Sequence, residues 1–257
     1  MRPREAWPKA KEAALKAIEL DDTLAEAHLA LAGYSFYYDW DWPAAEREFK
    51  RAIELNPNLP EVRHTYSFYL TNMGRPNEAM AESKRAEELD PLNLVGIAVG
   101  GWLLAVAHRY DEAIEQLQKP LEMNPNFYPA RQGLWRLYRY KNLYEEAFRE
   151  AKKAFSLRED QKVMEAMERG YAESGYPGAM RLAAEELAAR SKQRYVPPYE
   201  IARLYTDTDD KDQTLHWLQR AYEERDSRLV HLRDPDWDSL RSDPRFQDLL
   251  KRMKYPP

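Results

Sequence analysis

The sequence predicts an all-α solenoid, a fold in which short helical hairpins stack side by side. The first observation is a set of features that recurs every 34 residues along the 257-residue chain. The second is the scarcity of glycine, since 9 glycines are about half the usual share. The third is the abundance of alanine, leucine, glutamate, lysine and arginine, which favour helices. Together these observations indicate stacked helices joined by short connections.

Prolines and alanines carry the repeat. Asn-Pro or Asp-Pro pairs recur at the 34-residue interval, with their prolines at Pro57, Pro91 and Pro125. Two alanine series follow the same period, Ala45, Ala79, Ala113 and Ala147, and Ala52, Ala86 and Ala154. The residue before a proline avoids the helical conformation, so each pair should end a helix. The alanines let neighbouring helices approach closely. Ala17 lies 35 residues before Ala52, which is one residue more than the period, and we assign the extra residue to the turn at residues 39–42.

The repeat divides the chain into a lone first helix, about six hairpins and a closing segment. The first helix lies within residues 1–24 and corresponds to the second helix of a truncated unit. The hairpins are predicted at 25–59, 60–93, 94–127, 128–160, 161–194 and 195–228. Residues 229–257 depart from the repeat and should form a terminal cap, because a solenoid must shield its last apolar face from water.

The closing segment carries its own helix signals. Ser242 or Asp243 can cap a last helix, and Pro244 can open it. Its apolar residues are spaced to cover the last hairpin; they are Trp237, Leu240, Phe246, Leu249 and Leu250. At the other end, the helix that contains Trp7 has no preceding partner. An uncovered apolar side on that helix would favour self-association.

These units resemble the tetratricopeptide repeat, and the resemblance covers about residues 7–230. It is carried by segments such as AEAHLALAGYSFYYDWDWPAAEREFKRAIELNP and PEVRHTYSFYLTNMGRPNEAMAESKRAEELDP. The resemblance implies a right-handed α-α superhelix in which the first helix of each hairpin lines the concave side. The chain is also similar to the C-terminal repeat regions of bacterial multidomain signalling and transcriptional regulator proteins. That similarity implies a regulatory module, which we expect to be either a region excised from such a protein or a short relative that has lost the effector domain.

Side chains on the inner faces of the first helices are the candidate binding residues. They are Phe36, Tyr37, His64, Phe68, Asn72, Trp102, Gln132, Arg136, Arg139, Tyr140, Tyr199 and Arg203. In chain order the predicted groove changes from aromatic to basic, and both residue classes are enriched at interface hot spots. We therefore expect a protein or peptide partner with apolar anchors at one end and acidic groups at the other.

Two alternatives to peptide binding stay open at this stage. The aromatic residues could be core packing rather than a binding surface. The groove could also hold a small molecule and control an attached DNA-binding, cyclase or kinase domain, with Asn72, Gln132, Arg136 and Tyr140 as polar contacts. Some members of the repeat family hold a C-terminal carboxylate with a Lys/Asn pair, but the inner faces of the first two units lack these residues.

Composition and motifs argue against other classes of function. The chain has no cysteine, which excludes disulfides, thiolate metal sites and a cysteine nucleophile. Its net charge of −5 argues against nucleic acid as a partner. No apolar run approaches the ~18–20 residues of a membrane span, and no signal peptide is recognisable, so we expect a cytoplasmic protein. Phosphate-binding loops, paired metal-ligating histidines and nucleophile elbows are also missing from the sequence. We expect neither catalysis nor a cofactor or metal.

Two residues depart from the repeat. Trp135 stands at a first-helix position where the other units have the small residues Ala32, Ser67 and Gly101. We expect the helices to repack around it, with a widened pocket as the alternative. Pro120 lies inside a predicted second helix, where proline costs about 3 kcal/mol and bends the axis. A bend that adjusts the curvature of the stack is the simplest interpretation.

Overall fold

The computed structural model describes residues 2–256 as a succession of antiparallel helices, and no residue in that range belongs to a strand. The terminal residues of the two predicted end segments, Met1 and Pro257, lie outside the described range. The first helices are α1 (Pro3–Leu20), α2 (Ala25–Tyr34), α3 (Trp42–Leu55), α4 (Pro60–Asn72), α5 (Pro76–Leu89), α6 (Leu94–Val106) and α7 (Tyr110–Met123). They continue with α8 (Tyr128–Tyr140), α9 (Tyr144–Ser156), α10 (Gln161–Ser191), α11 (Pro198–Tyr205), α12 (Lys211–Glu223) and α13 (Pro244–Arg252).

Local sequence explains where the helices begin and end. Pro60 opens α4 at a position whose backbone nitrogen would have no partner within the helix. Asp41 caps α3, because its carboxylate accepts a hydrogen bond from the backbone nitrogen of Ala44 at 3.1 Å. The turns inside the hairpins use the left-handed conformation, as at Gly74 (φ 73°) and Asn142 (φ 59°). These signals recur with the repeat and set the hairpin boundaries.

The repeating alanines form the contacts between helices. Each alanine of the two series is buried, with exposures of 0% or 1%. Side chains this small let the two helices of a hairpin, and adjacent hairpins, lie close together. Larger residues three or four positions away, such as Phe49 and Leu117, fill the remaining space. The 34-residue period therefore repeats one packing arrangement along the stack.

The extra residue of the first hairpin lies slightly earlier than predicted. Residues Ser35–Asp39 form a π-helical turn at the end of α2, and Trp40 follows in the left-handed conformation. A π-turn accommodates one additional residue within a helix. The insertion therefore widens the end of α2 rather than only lengthening the turn at 39–42.

The fifth hairpin, α10, consists of two helical arms joined by a sharp reversal. Ser174 and Gly175 have non-helical backbone angles, and Gly175 has φ 68°. The two arms then cross at Gly170 and Gly178, where a Cβ on Gly170 would lie 2.2 Å from the Gly178 carbonyl oxygen. This close crossing requires glycine on both arms.

Both departures from the repeat lie in the interior. Trp135 is buried, and its indole nitrogen donates a hydrogen bond to the Tyr176 hydroxyl at 2.7 Å. Its ring also packs on Phe155 at 5.9 Å and beneath the guanidinium of Arg203 at 4.6 Å. Pro120 is buried within α7, which continues to Met123. Trp135 therefore joins the fourth, fifth and sixth hairpins.

The closing segment reaches much further than the last hairpin. Trp237 packs on Tyr199 of α11 at 5.2 Å, in line with a cap. Beyond that, the segment returns across the concave side to the first hairpins. The indole nitrogen of Trp42 donates to the Lys254 carbonyl oxygen at 2.8 Å. The segment therefore lies inside the superhelix as well as at its end.

The first and last hairpins also meet. Trp40 stacks on Tyr222 at 5.3 Å, and Arg225 donates to the Tyr38 carbonyl oxygen at 3.2 Å. Arg4 of α1 donates to the carbonyl oxygen of Glu223. These contacts close the superhelix on itself. Within residues 2–256, no helix is both long enough and apolar enough to cross a bilayer.

Candidate binding groove

The aromatic candidates form a ladder on the inner faces of the first three hairpins. Tyr37 stacks on Trp7 of α1 at 5.8 Å and on Phe68 at 6.1 Å. Phe68 in turn lies 4.3 Å from the Trp102 ring and 4.7 Å from the His231 imidazole. The structure therefore brings together Tyr37, Phe68 and Trp102, and His231 of the closing segment covers the Phe68 and Trp102 rings.

Two other candidates lie in the core. Phe36 is completely buried against Phe49 and Tyr69, with ring separations of 6.5 and 5.5 Å. His64 is buried against α6, where a Cβ on Gly96 would lie 2.1 Å from its ring. Burial lowers the pKa of His64, which favours the neutral imidazole. Neither side chain is available to a partner in this conformation.

Asn72 binds the closing segment. Its backbone carbonyl oxygen accepts a hydrogen bond from Arg233 Nε at 2.7 Å. The Tyr255 hydroxyl donates to Asn72 Oδ1 at 2.7 Å. Asn72 itself is buried, and its amide donates to the Phe68 carbonyl oxygen at 2.8 Å. This residue fixes both ends of the segment at the end of α4.

The basic candidates hold a pair of aspartates from the same segment. Arg136 pairs with Asp234 and Asp236, and Arg139 pairs with Asp236. The indole nitrogen of Trp102 donates to Asp234 Oδ1 at 2.9 Å. Burial opposes ionisation of Asp236, but the guanidinium groups of Arg136 and Arg139, helped by Arg203 at longer range, outweigh it and hold its pKa below the usual range. This cluster of two arginines and two aspartates anchors the segment in the middle of the groove, and we call it the arginine–aspartate clamp.

A third carboxylate extends the clamp toward the sixth hairpin. Arg139 Nε lies 3.0 Å from Asp207 Oδ1, and the Tyr176 hydroxyl donates to Asp207 Oδ2 at 2.9 Å. Burial raises the pKa of Asp207 to about 6, although Arg139 partly offsets the effect. Sequence reasoning missed Asp207, Asp234 and Asp236. The only local signal was the Asp-Pro-Asp-Trp-Asp sequence at 234–238, which lies outside the repeat.

One part of the groove remains open. An apolar cavity of about 200 Å³ lies between the inner faces of α6 and α8. Its walls include Val95, Ala98, Trp102, Leu117 and Leu137, and its rim includes Gln132, Arg136, Tyr140 and His231. Gly133 lets α8 lie against Leu117 on one wall, since a Cβ at this position would lie 2.4 Å from the Leu117 side chain. We call this space the apolar cavity.

A second cavity of about 350 Å³ adjoins it, and four of its nine lining residues are arginines. Its walls are Tyr128, Gln132, Arg136, Arg158, Tyr199, Glu200, Arg203, Arg228 and His231. Tyr199 and Arg203, the last two predicted groove residues, therefore meet Arg136 and Gln132 here. Arg158 and Arg228 were not predicted, because they lie at the ends of hairpins outside the first-helix series. We call this space the arginine cavity.

Comparisons with known proteins identify the repeat. No family model matches the sequence. Over 115 residues, 44% of this chain, the sequence is 32% identical to small glutamine-rich tetratricopeptide repeat-containing protein 2 of Mycosarcoma maydis. Over 94 residues, 37% of this chain, it is 32% identical to Hsp70-Hsp90 organizing protein 2 of Arabidopsis thaliana. These matches span 33% and 16% of the two relatives.

Solved structures agree on the architecture. PilW, a type IV pilus biogenesis factor, aligns with a TM-score of 0.58 and 22% identity, over 74% of this chain and 86% of PilW. Pseudomonas aeruginosa PilF aligns with a TM-score of 0.53 and 16% identity, over 97% of this chain and 91% of PilF. The chain has the fold of a tetratricopeptide-repeat solenoid. At these identities the structural similarity concerns the fold alone, so the function of this chain must be argued from its groove.

Proposed function

We propose that the chain is a non-enzymatic protein-interaction scaffold that binds a peptide segment of a partner protein on the inner faces of α6 and α8. One observation carries the proposal: this surface already binds polypeptide within the molecule. Trp102 and Arg136 hold Asp234 of the closing segment, while the apolar cavity directly beside that segment stays open. A partner segment could therefore use the same kind of contacts next to the internal one.

The dimensions of the apolar cavity favour a side chain over a complete small molecule. Ligand pockets typically measure about 300–1,000 Å³, whereas this cavity measures about 200 Å³. Its walls are mostly apolar, and its mouth carries the exposed side chain of Val95. One or two apolar side chains of a peptide would fill it, and the rest of the peptide would lie across the inner faces of α6 and α8.

The comparisons support a protein partner as a class. One curated relative is named for organizing Hsp70 and Hsp90, and another for its tetratricopeptide repeats. Since the matches cover a third or less of each relative, the identity of any partner of this chain is a separate question. A regulatory role in a bacterial signalling protein, which the sequence resemblance implied, is part of the proposal.

Selection of random peptides displayed on phage against the full chain tests the proposal. Val95 lines the apolar cavity and is 57% exposed, whereas Leu92 is 69% exposed and does not line it. Selected peptides should share an apolar residue, and Val95→Glu should weaken their binding by at least about tenfold. The matched variant Leu92→Glu should leave binding unchanged. Equal binding to both variants and the wild type would refute the assignment of this surface.

A further inference from the structure

We propose that the arginine cavity binds an oxyanion group, either a carboxylate or a phosphate, of the peptide whose apolar side chain enters the apolar cavity. The inference rests on the proposed function and adds the chemical class of the second anchor. The two cavities share Gln132, Arg136 and His231 as walls. A single ligand can therefore contact both.

Arg203 is the first argument for an anion. The residue is 7% exposed, and its guanidinium stacks on the Trp135 ring at 4.6 Å while it lines the arginine cavity. Within residues 2–256, no carboxylate oxygen lies within the 4.0 Å of an ion pair with Arg203. Asp207 and Asp236 attract Arg203 at longer range, but both carboxylates pair directly with Arg139. A buried charge without a direct partner is costly, so an anion in contact with Arg203 would be stabilised there.

The balance of charge around the cavity gives the second argument. Four arginines line it, Arg136, Arg158, Arg203 and Arg228, but Glu200 is the one carboxylate among the lining residues. Glu200 pairs with Arg158, and the clamp aspartates pair with Arg136. Arg228 lies 3.7 Å from Asp226, at the outer edge of the ion-pair range. The internal carboxylates therefore leave Arg203 without a direct ion pair, attracted only at longer range by Asp207 and Asp236, and leave Arg228 weakly paired.

Polar atoms without partners give the third argument. The Tyr199 hydroxyl and Arg136 Nε are buried and make no hydrogen bond with any described residue. Both residues line the arginine cavity. A hydroxyl and a guanidinium nitrogen are donors that suit an oxyanion, and arginine binds carboxylates and phosphates through two parallel hydrogen bonds. An anion beside Arg203 would therefore meet donors that are already in place.

Inorganic phosphate and acetate test the anion site directly, without any peptide. At constant ionic strength, each anion is compared with chloride by its effect on the melting temperature of the full chain. At a given concentration, an anion that binds the folded state more tightly raises the melting temperature more. Arg228→Gln should reduce the effect, and Arg203→Gln should remove it. Arg181→Gln is the matched control for Arg228→Gln, because the two side chains are 46% and 49% exposed and Arg181 does not line the cavity.

Arg203→Lys separates charge from folding. The lysine keeps the positive charge but loses the planar contact with Trp135, so a folded Arg203→Lys chain should retain part of the anion effect. If Arg203→Gln fails to fold, Arg228→Gln and Arg203→Lys still decide the question. The larger effect, whether from phosphate or from acetate, tells which oxyanion the cavity prefers.

The peptides from the phage selection provide the second arm. Replacing each acidic residue by its amide should weaken binding by about 10- to 100-fold at one position, the value of a charged hydrogen bond. Replacing that residue by phosphoserine distinguishes a phosphate source from a carboxylate source. If no anion stabilises the chain beyond chloride and every amide peptide binds equally well, the inference is wrong. Retained loss of binding in Val95→Glu would then leave the proposed function standing.

Discussion

Replacing Asp236 with asparagine should lower the free energy of unfolding by about 3 kcal/mol, the lower end of the cost of breaking a buried ion pair. The Asp236 side chain is 1% exposed and pairs with both Arg136 and Arg139. The lower end applies because each arginine keeps another carboxylate, Asp234 for Arg136 and Asp207 for Arg139. Asparagine preserves the volume, so the change isolates the charge.

Urea unfolding followed by far-ultraviolet circular dichroism measures this loss. Asp238 supplies the control, because it belongs to the same segment but its side chain is 49% exposed and lies 3.4 Å from Arg241. An exposed pair contributes at most about 1 kcal/mol, so Asp238→Asn should change stability little. Equal losses in Asp236→Asn and Asp238→Asn would show that the arginine–aspartate clamp does not hold the segment.

Three further predictions concern pH, a turn and assembly. Burial raises the pKa of Asp207 to about 6, so its carboxyl group binds a proton at a higher pH in the folded state than in the unfolded state, and the contribution of Asp207 to stability should increase by about 1 kcal/mol between pH 7 and pH 5. The stability difference between the wild type and Asp207→Asn, measured by urea unfolding at the two pH values, should change by that amount in favour of the wild type as the pH falls. Gly74 has φ 73°, and a Cβ there would lie 3.2 Å from Arg233, so Gly74→Ala should lower the free energy of unfolding by about 1–2 kcal/mol. The control Gly100→Ala, in the middle of α6, should be neutral or stabilising in the same unfolding assay. Light scattering across a concentration series should show that the chain self-associates. Leu15→Glu should remove the self-association, because Leu15 is an exposed apolar residue of α1. A wild-type chain that is monomeric at every concentration would contradict this prediction.

The stacked hairpins could be predicted because their signals are local and repeated. Ala45 and its equivalents mark the same close contact in each unit, and the Asn-Pro pairs end the same helix each time. The insertion before Ala45 was visible as a break in the period, but its form was not. A π-turn and a longer loop contain the same number of residues, and the two differ in the backbone hydrogen bonds of residues 35–39, which the sequence pattern does not reveal.

The occupied groove could not be predicted from the same signals. Trp102 and Asp234 are 132 residues apart, and Trp42 and Lys254 are 212 apart. Such contacts join single side chains to an irregular segment, so no periodicity precedes them. Helical spacing predicts one surface for Tyr37, Phe68 and Trp102, whose rings form a continuous row of contacts, but spacing alone cannot say that the chain covers part of that surface itself.

The internal segment also constrains how a partner can bind. A partner that had to displace the segment would first have to break the contacts that hold it. If those contacts stabilise the bound segment by about 3 kcal/mol, the partner's affinity falls by roughly 100-fold. A partner that uses the open apolar cavity avoids this loss. Tyr255→Phe distinguishes the two cases. The substitution removes a hydroxyl that lies 2.7 Å from Asn72 Oδ1 and 2.6 Å from the Val230 carbonyl oxygen, so it loosens the segment. Tyr255 does not line the apolar cavity, so the cavity itself is unchanged. Loosening the segment should leave the affinity for the selected peptides unchanged within about twofold, as measured by fluorescence polarisation. A gain of about tenfold would instead identify the segment as a competitor of the partner.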